Sequence, residues 1–140
     1  MSQQDEIDFE QLADQVRAEN AALLEGFGTW LTDSGLKEKT TRKHQGNVSF
    51  YIDHDLLWDD ITRPKDGLSR IDGFFNWFFL RKAMWSSVAS TKETAASLKK
   101  LYRYLVEIGN VEVEDDEEFL AEVKNEMPDW LEHYRDFDGW

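Results

Sequence analysis

The chain has 140 residues and a formal net charge of -13, with 41% hydrophobic and 14% aromatic residues. This length fits one domain with a real core, and six Trp and nine Phe are too many for a disordered chain. The absence of cysteine from the sequence excludes a disulfide scaffold, zinc–thiolate sites and thiol catalysis. The acidic N-terminal stretch MSQQDEIDFEQ does not resemble a targeting signal, and the longest apolar run, FFNWFFL, is too short to span a bilayer. We therefore expect a cytoplasmic protein with no membrane partner.

Charge is divided unevenly along the chain. Residues 1–26 carry a net -6, residues 27–108 a net +3 and residues 109–140 a net -10. The bases are most concentrated in the stretch KEKTTRK at 37–43, where four of them fall within seven residues. A mildly basic centre therefore lies between two strongly acidic ends, and such a centre favours an anionic partner.

Apolar residues recur at three- and four-residue steps nearly throughout, which predicts an all-α fold. The first pattern predicts one long helix, or two in series, over about 6–33, with Gly35 as the left-handed residue that ends it. A second helix is predicted from about Lys37–Thr40 to about Leu57, then a connection over 58–67 and a third helix over about 68–85. The residues predicted to be buried in these helices are Phe9, Leu12, Val16, Leu23, Phe27, Trp30, Leu31, His44, Val48, Tyr51, Ile52, Leu56, Leu68, Ile71, Phe74, Phe75, Trp77, Phe78, Phe79 and Trp85.

The fourth helix is predicted to start at Ser90-Thr91-Lys92-Glu93, a capping-box pattern in which Ser90 and Glu93 satisfy each other's backbone N–H groups. Gly109-Asn110 is predicted to end it. A fifth helix opens with the acidic run EVEDDEE at 112–118, which suits the positive end of the helix dipole. Pro128 is predicted in the first turn of a further helix. The residues predicted to be buried are Ala95, Leu98, Leu101, Tyr102, Leu105, Ile108, Phe119, Leu120, Val123, Met127, Trp130, Leu131 and Tyr134.

Two segments together resemble the core-binding domain of tyrosine recombinases and phage integrases. FGTWLTDSGLKEKTTRKHQGNVSFYIDHDL at 27–56 has an aromatic-x-x-Trp-Leu helix end, a Gly-Leu turn and a Thr-led helix. STKETAASLKKLYRYLVEIG at 90–109 has a Ser-Thr start, regularly spaced Leu, a Tyr-rich middle and a terminal Gly. The resemblance implies a SAM-like orthogonal four-helix bundle over 25–110, with a helical extension at 1–24 and acidic helices at 111–140 in the same single domain.

In that family the second and fourth helices of the bundle face the major groove of duplex DNA. The resemblance therefore implies a DNA-binding module in which helix four adds a second group of contacts to those of the 37–43 cluster. The implied DNA-binding residues are Lys37, Lys39, Thr40, Thr41, Arg42, Lys43, Thr91, Lys92, Lys99, Lys100 and Arg103. A homo-oligomer or a recombinase partner is a further partner that the resemblance suggests.

The chain departs from the family in its chemistry. Recombinase catalysis needs an Arg, a His-x-x-Arg and a Tyr nucleophile in a separate C-terminal domain, and the three histidines are followed at +3 by Asn47, Leu57 and Asp136. We therefore expect no enzyme activity and no cofactor from this chain, which is either one jaw of a longer recombinase or a free-standing relative. The alternative is a protein-interaction or regulatory module that kept the fold without binding DNA.

Each charged group also has a simpler interpretation. The basic cluster can be a solvated helix start in which Glu38 pairs with a neighbour, and the bases of helix four can be an ordinary exposed surface. The acidic run is either a solvated helix entrance or a segment that lies over the basic face and competes with nucleic acid. The Asp53-His54-Asp55 stretch is not expected to bind a metal, because adjacent helical residues point in different directions. The many aromatics are expected in the core, some against the C-terminal helix or a second subunit.

Overall fold

The computed structural model describes residues 3–58, 60–79 and 87–138, and all regular structure within them is helical. The predicted all-α class is confirmed. The chain forms two compact units, Met1–Gly67 and Leu68–Trp140, called here the N-terminal and C-terminal units. None of the described helices combines the length and the hydropathy that crossing a membrane requires.

The N-terminal unit is built from two long helices. Helix α1 spans Gln3–Asp33, and helix α2 spans Glu38–Ser49 and continues as a π-helical turn over Phe50–Asp55. The prediction of a continuous first helix and of a second helix to about Leu57 is confirmed. Gly35 has a φ of +102°, as expected of the left-handed residue after a helix end. The predicted buried residues of α2 all lie in the core: His44, Val48, Tyr51, Ile52 and Leu56.

Polar contacts fix α1 against α2 and its π-helical turn. The buried Asn20 side chain donates to the Asp53 carboxylate at 3.0 Å and to the carbonyl of Ile52 at 3.3 Å. The Gln45 amide donates to the carbonyl of Leu24 at 2.8 Å. These bonds satisfy buried polar groups that would otherwise weaken the unit.

The apolar stripe of α1 is not buried along its whole length. Val16, Phe27 and Leu31 are buried as predicted, but Phe9 and Leu12 each remain 40% exposed. The prediction that these two lie in the core is therefore wrong. Ala13 and Val16 are the first fully buried side chains along the described part of this helix. The first turns of α1 thus leave part of their apolar surface in solvent.

The third helical stretch is less regular than predicted. Instead of one helix over 68–85, it comprises a 3₁₀ segment Pro64–Arg70, a single α-helical turn α3 at Ile71–Gly73, and a π-helical turn Phe74–Phe78. Most of its inner side chains are buried as predicted, but Leu68 is only half-buried. Trp77 is 45% exposed, so its placement in the core is wrong. A π-helical turn changes the angular spacing of side chains, and Trp77 falls outside the inner face. The predicted part from 80 to 85, including Trp85, lies outside the described residues.

Helix α4 spans Val88–Glu107, so it starts before the predicted capping box. Ser87 is the N-cap: its hydroxyl accepts from the backbone N–H of Ser90 at 3.0 Å, and Ser90 accepts from the backbone N–H of Ser87 at 2.8 Å. The prediction of Ser90 as the cap is therefore wrong by one turn. The end of the helix is as predicted, since Gly109 has a φ of +82°. Its stripe is buried except for Ile108, which is 45% exposed and was wrongly placed in the core.

Helix α5 is one continuous helix over Val113–Asp138, with Pro128 inside it. The prediction that Pro128 opens a separate helix is therefore wrong. Aromatic contacts hold this helix on both sides of the proline. Phe119 packs on Tyr102 with ring centroids 5.0 Å apart, and Trp130 stacks on Phe75 at 4.6 Å. The expected packing of the aromatic segment on the C-terminal helix is confirmed at Trp130, whereas the Tyr134 side chain lies outside the described side chains.

Candidate nucleic-acid interface

The first candidate surface is the basic cluster at the start of α2, which consists of Lys37, Lys39, Arg42 and Lys43. All four side chains are exposed. Along an α-helix the last three fall within a sector of about 100°, because successive residues turn by about 100°. The opposite side of the same helix holds the buried Thr41, His44 and Val48. The α2 cluster is therefore the solvent face of a helix whose other face is anchored in the core.

Within the α2 cluster, Arg42 pairs with Glu38. The two residues are one helical turn apart, and the Arg42 guanidinium donates to the Glu38 carboxylate. Both side chains are more than two thirds exposed, so this pair contributes little to stability and competes weakly with other anions. The simpler interpretation of the cluster, with Glu38 paired to a neighbour, is thus correct for Arg42.

Two of the three threonines of the predicted interface are buried. Thr41 is buried, and Thr91 is fully buried with its hydroxyl donating to the carbonyl of Ser87 at 2.7 Å. Their burial gives no support to their assignment as DNA contacts, which stays a prediction. Both residues lie on the inner faces of their helices, and the family pattern does not distinguish these faces. Thr40 is half-buried, which leaves part of it at the surface beside Lys39.

The second candidate surface, the α4 cluster, consists of Lys92, Lys99, Lys100 and Arg103 in the C-terminal unit. Lys92, Lys99 and Arg103 are exposed and fall within a sector of about 40°, with Lys100 half-buried beside them. The buried Leu98, Leu101 and Leu105 occupy the opposite side of the helix. The structure therefore brings the bases of each helix together on one exposed face.

An acidic side chain reaches the α4 cluster from α5. Asp116 belongs to the acidic run, is only 4% exposed, and places one carboxylate oxygen 3.7 Å from Nε of Arg103. Burial raises the pKa of Asp116, an effect that the nearby Arg103 guanidinium opposes and the Glu117 carboxylate adds to. At 3.7 Å the ion pair is too long for a hydrogen bond, so it offsets the cost of burial only in part.

Sequence reasoning missed the contact between Arg103 and Asp116, although a signal for it exists. Gly109-Asn110 ends α4 and reverses the chain into α5, so residues at similar distances before and after the turn face each other in an antiparallel helix pair. Arg103 and Asp116 are such a pair, and Tyr102 and Phe119 are another. Through this contact Arg103, one of the predicted DNA-binding bases, pairs with an acid of the acidic run.

A metal centre has no support within the described residues. Among the side chains that the structure describes, no three from His, Asp or Glu come together in a way that could hold a metal ion. The Asp53 carboxylate accepts from Asn20 and from the hydroxyl of Ser49, so it joins helices within the N-terminal unit.

Comparison of the chain with protein-family models, with curated proteins and with solved structures finds no match.

Proposed function

We propose that this chain is a non-catalytic DNA-binding module that resembles the core-binding domain of tyrosine recombinases. The observation that carries the proposal is the exposed basic sector of α2, where Lys39, Arg42 and Lys43 project from a helix whose opposite face is buried. The α4 cluster repeats this arrangement in the C-terminal unit. Lysine and arginine bind phosphate because they displace condensed counterions, and this binding does not require base contacts.

The proposal concerns phosphate contact rather than sequence reading. Arg42 of the α2 cluster lines a cavity of about 350 Å³ that also contains the acidic Glu25, Asp33 and Glu38. The net charge of the whole chain also opposes approach to DNA. Binding of moderate affinity that depends strongly on salt is therefore expected. The acidic contact at Arg103 is expected to weaken binding further, because it neutralises part of the α4 cluster.

Fluorescence anisotropy with labelled duplex DNA in a salt series tests the proposal. The wild type is compared with Lys39→Glu/Arg42→Glu/Lys43→Glu and with a matched control, Arg17→Glu/Lys65→Glu/Lys124→Glu. Both triple variants change the net charge equally, but the control reverses exposed bases outside the two clusters. We expect the α2 variant to lose binding and the control to retain most of it. Each phosphate contact contributes about 0.9 to the slope of log affinity against log salt, so any binding that the α2 variant retains should have a slope smaller in magnitude by about 2 to 3.

A second pair of variants tests the acidic contact. Asp116→Asn and Glu118→Gln each remove one negative charge from the same run, but only Asp116 contacts Arg103. We expect Asp116→Asn to raise DNA affinity about two- to fivefold more than Glu118→Gln, because releasing an ion pair of this kind is worth about 0.5–1 kcal/mol. Equal effects of the two variants would show that the acids act only through net charge.

The alternative is a protein-interaction module, which the exposed aromatic side chains favour. Trp58 in the N-terminal unit is 52% exposed and Trp77 in the C-terminal unit is 45% exposed. Tryptophan is among the residues that contribute most to protein interfaces. Absence of DNA binding by the wild type and by Asp116→Asn at low salt would contradict the DNA proposal and leave this alternative.

A further inference from the structure

A groove of about 670 Å³ lies along α5 in the C-terminal unit and borders the α4 cluster, which contributes Lys99 to its lining. Its floor consists of Leu120, Val123, Met127 and Leu131, which follow one another at three- and four-residue steps on one side of the helix. The stripe spans twelve residues, whose eleven steps cover about 16 Å at the rise of an α-helix. The volume of the groove lies within the range of about 300–1,000 Å³ that small-molecule sites occupy.

The aromatic contacts of α5 use other positions. Phe119 packs on Tyr102, and Trp130 packs on Phe75 and donates its ring N–H to the Asp72 carboxylate at 2.9 Å. Leu120 and Met127 are only half-buried, so these two floor residues still present apolar surface to the groove. Helix α5 therefore has more apolar surface than the core of its own unit covers.

Positive charge borders this apolar floor. Helix α5 has eleven acidic and two basic residues, yet one of those bases, Lys124, lines the groove. The residue that α4 contributes is also a lysine, Lys99, and Glu132 is the one carboxylate among the lining residues. The groove is therefore a place where a strongly acidic helix presents a local excess of positive charge beside an apolar stripe.

We propose that this groove binds a single-chain amphiphile with a carboxylate head group. The apolar floor takes the hydrocarbon chain, and a length of about 16 Å matches an extended chain of about twelve carbons. The Lys99 and Lys124 ammonium groups bind the head group, since both side chains are exposed and long enough to pack their stems along the apolar wall. A cationic head group is excluded from the same position by like-charge repulsion. The site shares Lys99 with the α4 cluster, but its argument does not rest on the proposed DNA binding.

Methyl NMR of methionine provides a direct test. Met127 is one of three methionines, so a protein labelled at the methionine methyl groups gives few signals, and Met127→Leu assigns the one in the groove. The full chain is titrated with dodecanoate below its micelle concentration. We expect the Met127 signal to shift in a saturable manner. The same titration with dodecyltrimethylammonium, which has the same chain and the opposite charge, is expected to shift it far less.

Two double variants separate the head group from the chain. Lys99→Gln/Lys124→Gln removes the proposed head-group contacts, and Lys65→Gln/Lys92→Gln makes the same change in charge outside the groove. We expect the first to weaken dodecanoate binding about three- to tenfold, as two exposed ion pairs allow, and the second to leave it nearly unchanged. The proposal is overturned by an unshifted Met127 signal, by equal binding of both head groups, or by equal effects of the two variants. Circular dichroism confirms that each variant is folded.

Discussion

At the scale of single residues, Gly28 shows how one missing side chain allows two helices to approach. The Gln45 amide reaches across from α2 to the carbonyl of Leu24, and its path passes directly over Gly28. A Cβ built at position 28 would lie 2.9 Å from Cδ of Gln45, with the amide nitrogen closer still. Any side chain there displaces Gln45 and removes the interhelical hydrogen bond.

Two glycine substitutions are therefore expected to differ in their effect on stability. Gly28→Ala gains helix propensity, but the lost Gln45 hydrogen bond costs about 1 kcal/mol and offsets that gain, so we expect no net stabilisation. Gly46→Ala, in the same pair of helices, places its methyl group in open space and gains helix propensity, so it stabilises by about 0.5–1 kcal/mol. Urea unfolding measures both. Stabilisation by Gly28→Ala would show that the Gln45 hydrogen bond is kept or replaced when position 28 has a methyl group.

At the scale of whole elements, the start of α4 depends on a reciprocal pair of serines. Ser87 and Ser90 each accept a hydrogen bond from the other's backbone N–H, so together they satisfy two N–H groups that the helix leaves open. The sequence pattern instead predicted a cap formed by Ser90 and Glu93, because Ser-x-x-Glu is the more common form of the capping box. Both pairs have the correct spacing, and only the position of the first helical residue distinguishes them.

Substitutions at the two proposed caps discriminate between these assignments. We expect Ser87→Ala to lower the free energy of unfolding by about 1 kcal/mol, the usual cost of losing an N-cap. Glu93→Ala is expected to change it by a few tenths of a kcal/mol or less, since the residue lies inside the first turns of the helix. Thermal and urea unfolding give both values. A loss from Glu93→Ala as large as that from Ser87→Ala would place the helix start at Ser90.

Helix α5 carries a pH-sensitive carboxylate. Burial raises the pKa of Glu122, and the Asp72 and Glu126 carboxylates raise it further. The folded chain therefore binds this proton more tightly than the unfolded chain. Across the window from the ordinary value of 4.5 up to the raised pKa, the contribution of Glu122 to stability falls as pH rises.

Glu122→Gln is expected to stabilise the protein at pH 7 and not at low pH. At pH 7 it removes the repulsion between carboxylates one helical turn apart, which is worth about 0.2–0.5 kcal/mol. Below pH 4.5 the wild-type carboxyl is protonated as well, so the difference between the two proteins disappears. Urea unfolding at several pH values measures this, with Glu118→Gln as an exposed control from the same helix. A stabilisation that persists at low pH would assign the effect to packing.

Some helix ends could be predicted from the sequence, whereas the continuity of α5 and the burial of individual side chains could not. Gly35 and Gly109 mark helix ends correctly because their requirement for a positive φ is local. Pro128 was wrongly predicted to open a helix because the contacts that keep α5 continuous across it are not local. Phe119 packs on Tyr102 before the proline, and Trp130 stacks on Phe75 after it. The bases of α2 and α4 were found from charge alone, whereas the burial of Thr41 and Thr91 depends on which helix face meets the core. Their role in binding DNA stays a prediction.

At the scale of the whole molecule, charge sets conditions that affect both folding and binding. The chain has 29 acidic and 16 basic residues, and the acids are concentrated at its two ends. An excess of like charge destabilises a compact state through repulsion among its own groups. Salt screens that repulsion, because the screening length falls from about 30 Å at 0.01 M to about 3 Å at 1 M. Salt also weakens the proposed contact with DNA, so the two properties have opposite salt dependences.

The melting temperature is therefore expected to rise with salt concentration. Between 0.01 and 1 M KCl we expect an increase of about 3 °C, which corresponds to ~1 kcal/mol for a chain of this size. The triple variant Glu6→Gln/Asp8→Asn/Glu10→Gln removes three exposed acids from the first turns of α1, so its increase should be smaller. A melting temperature that stays constant or falls would show that attractive ion pairs, such as Arg63 with Glu19 at 2.9 Å, outweigh the net repulsion. Low salt is expected both to strengthen DNA binding and to lower the stability of the fold. Each point of the salt series therefore needs a parallel measurement of folding.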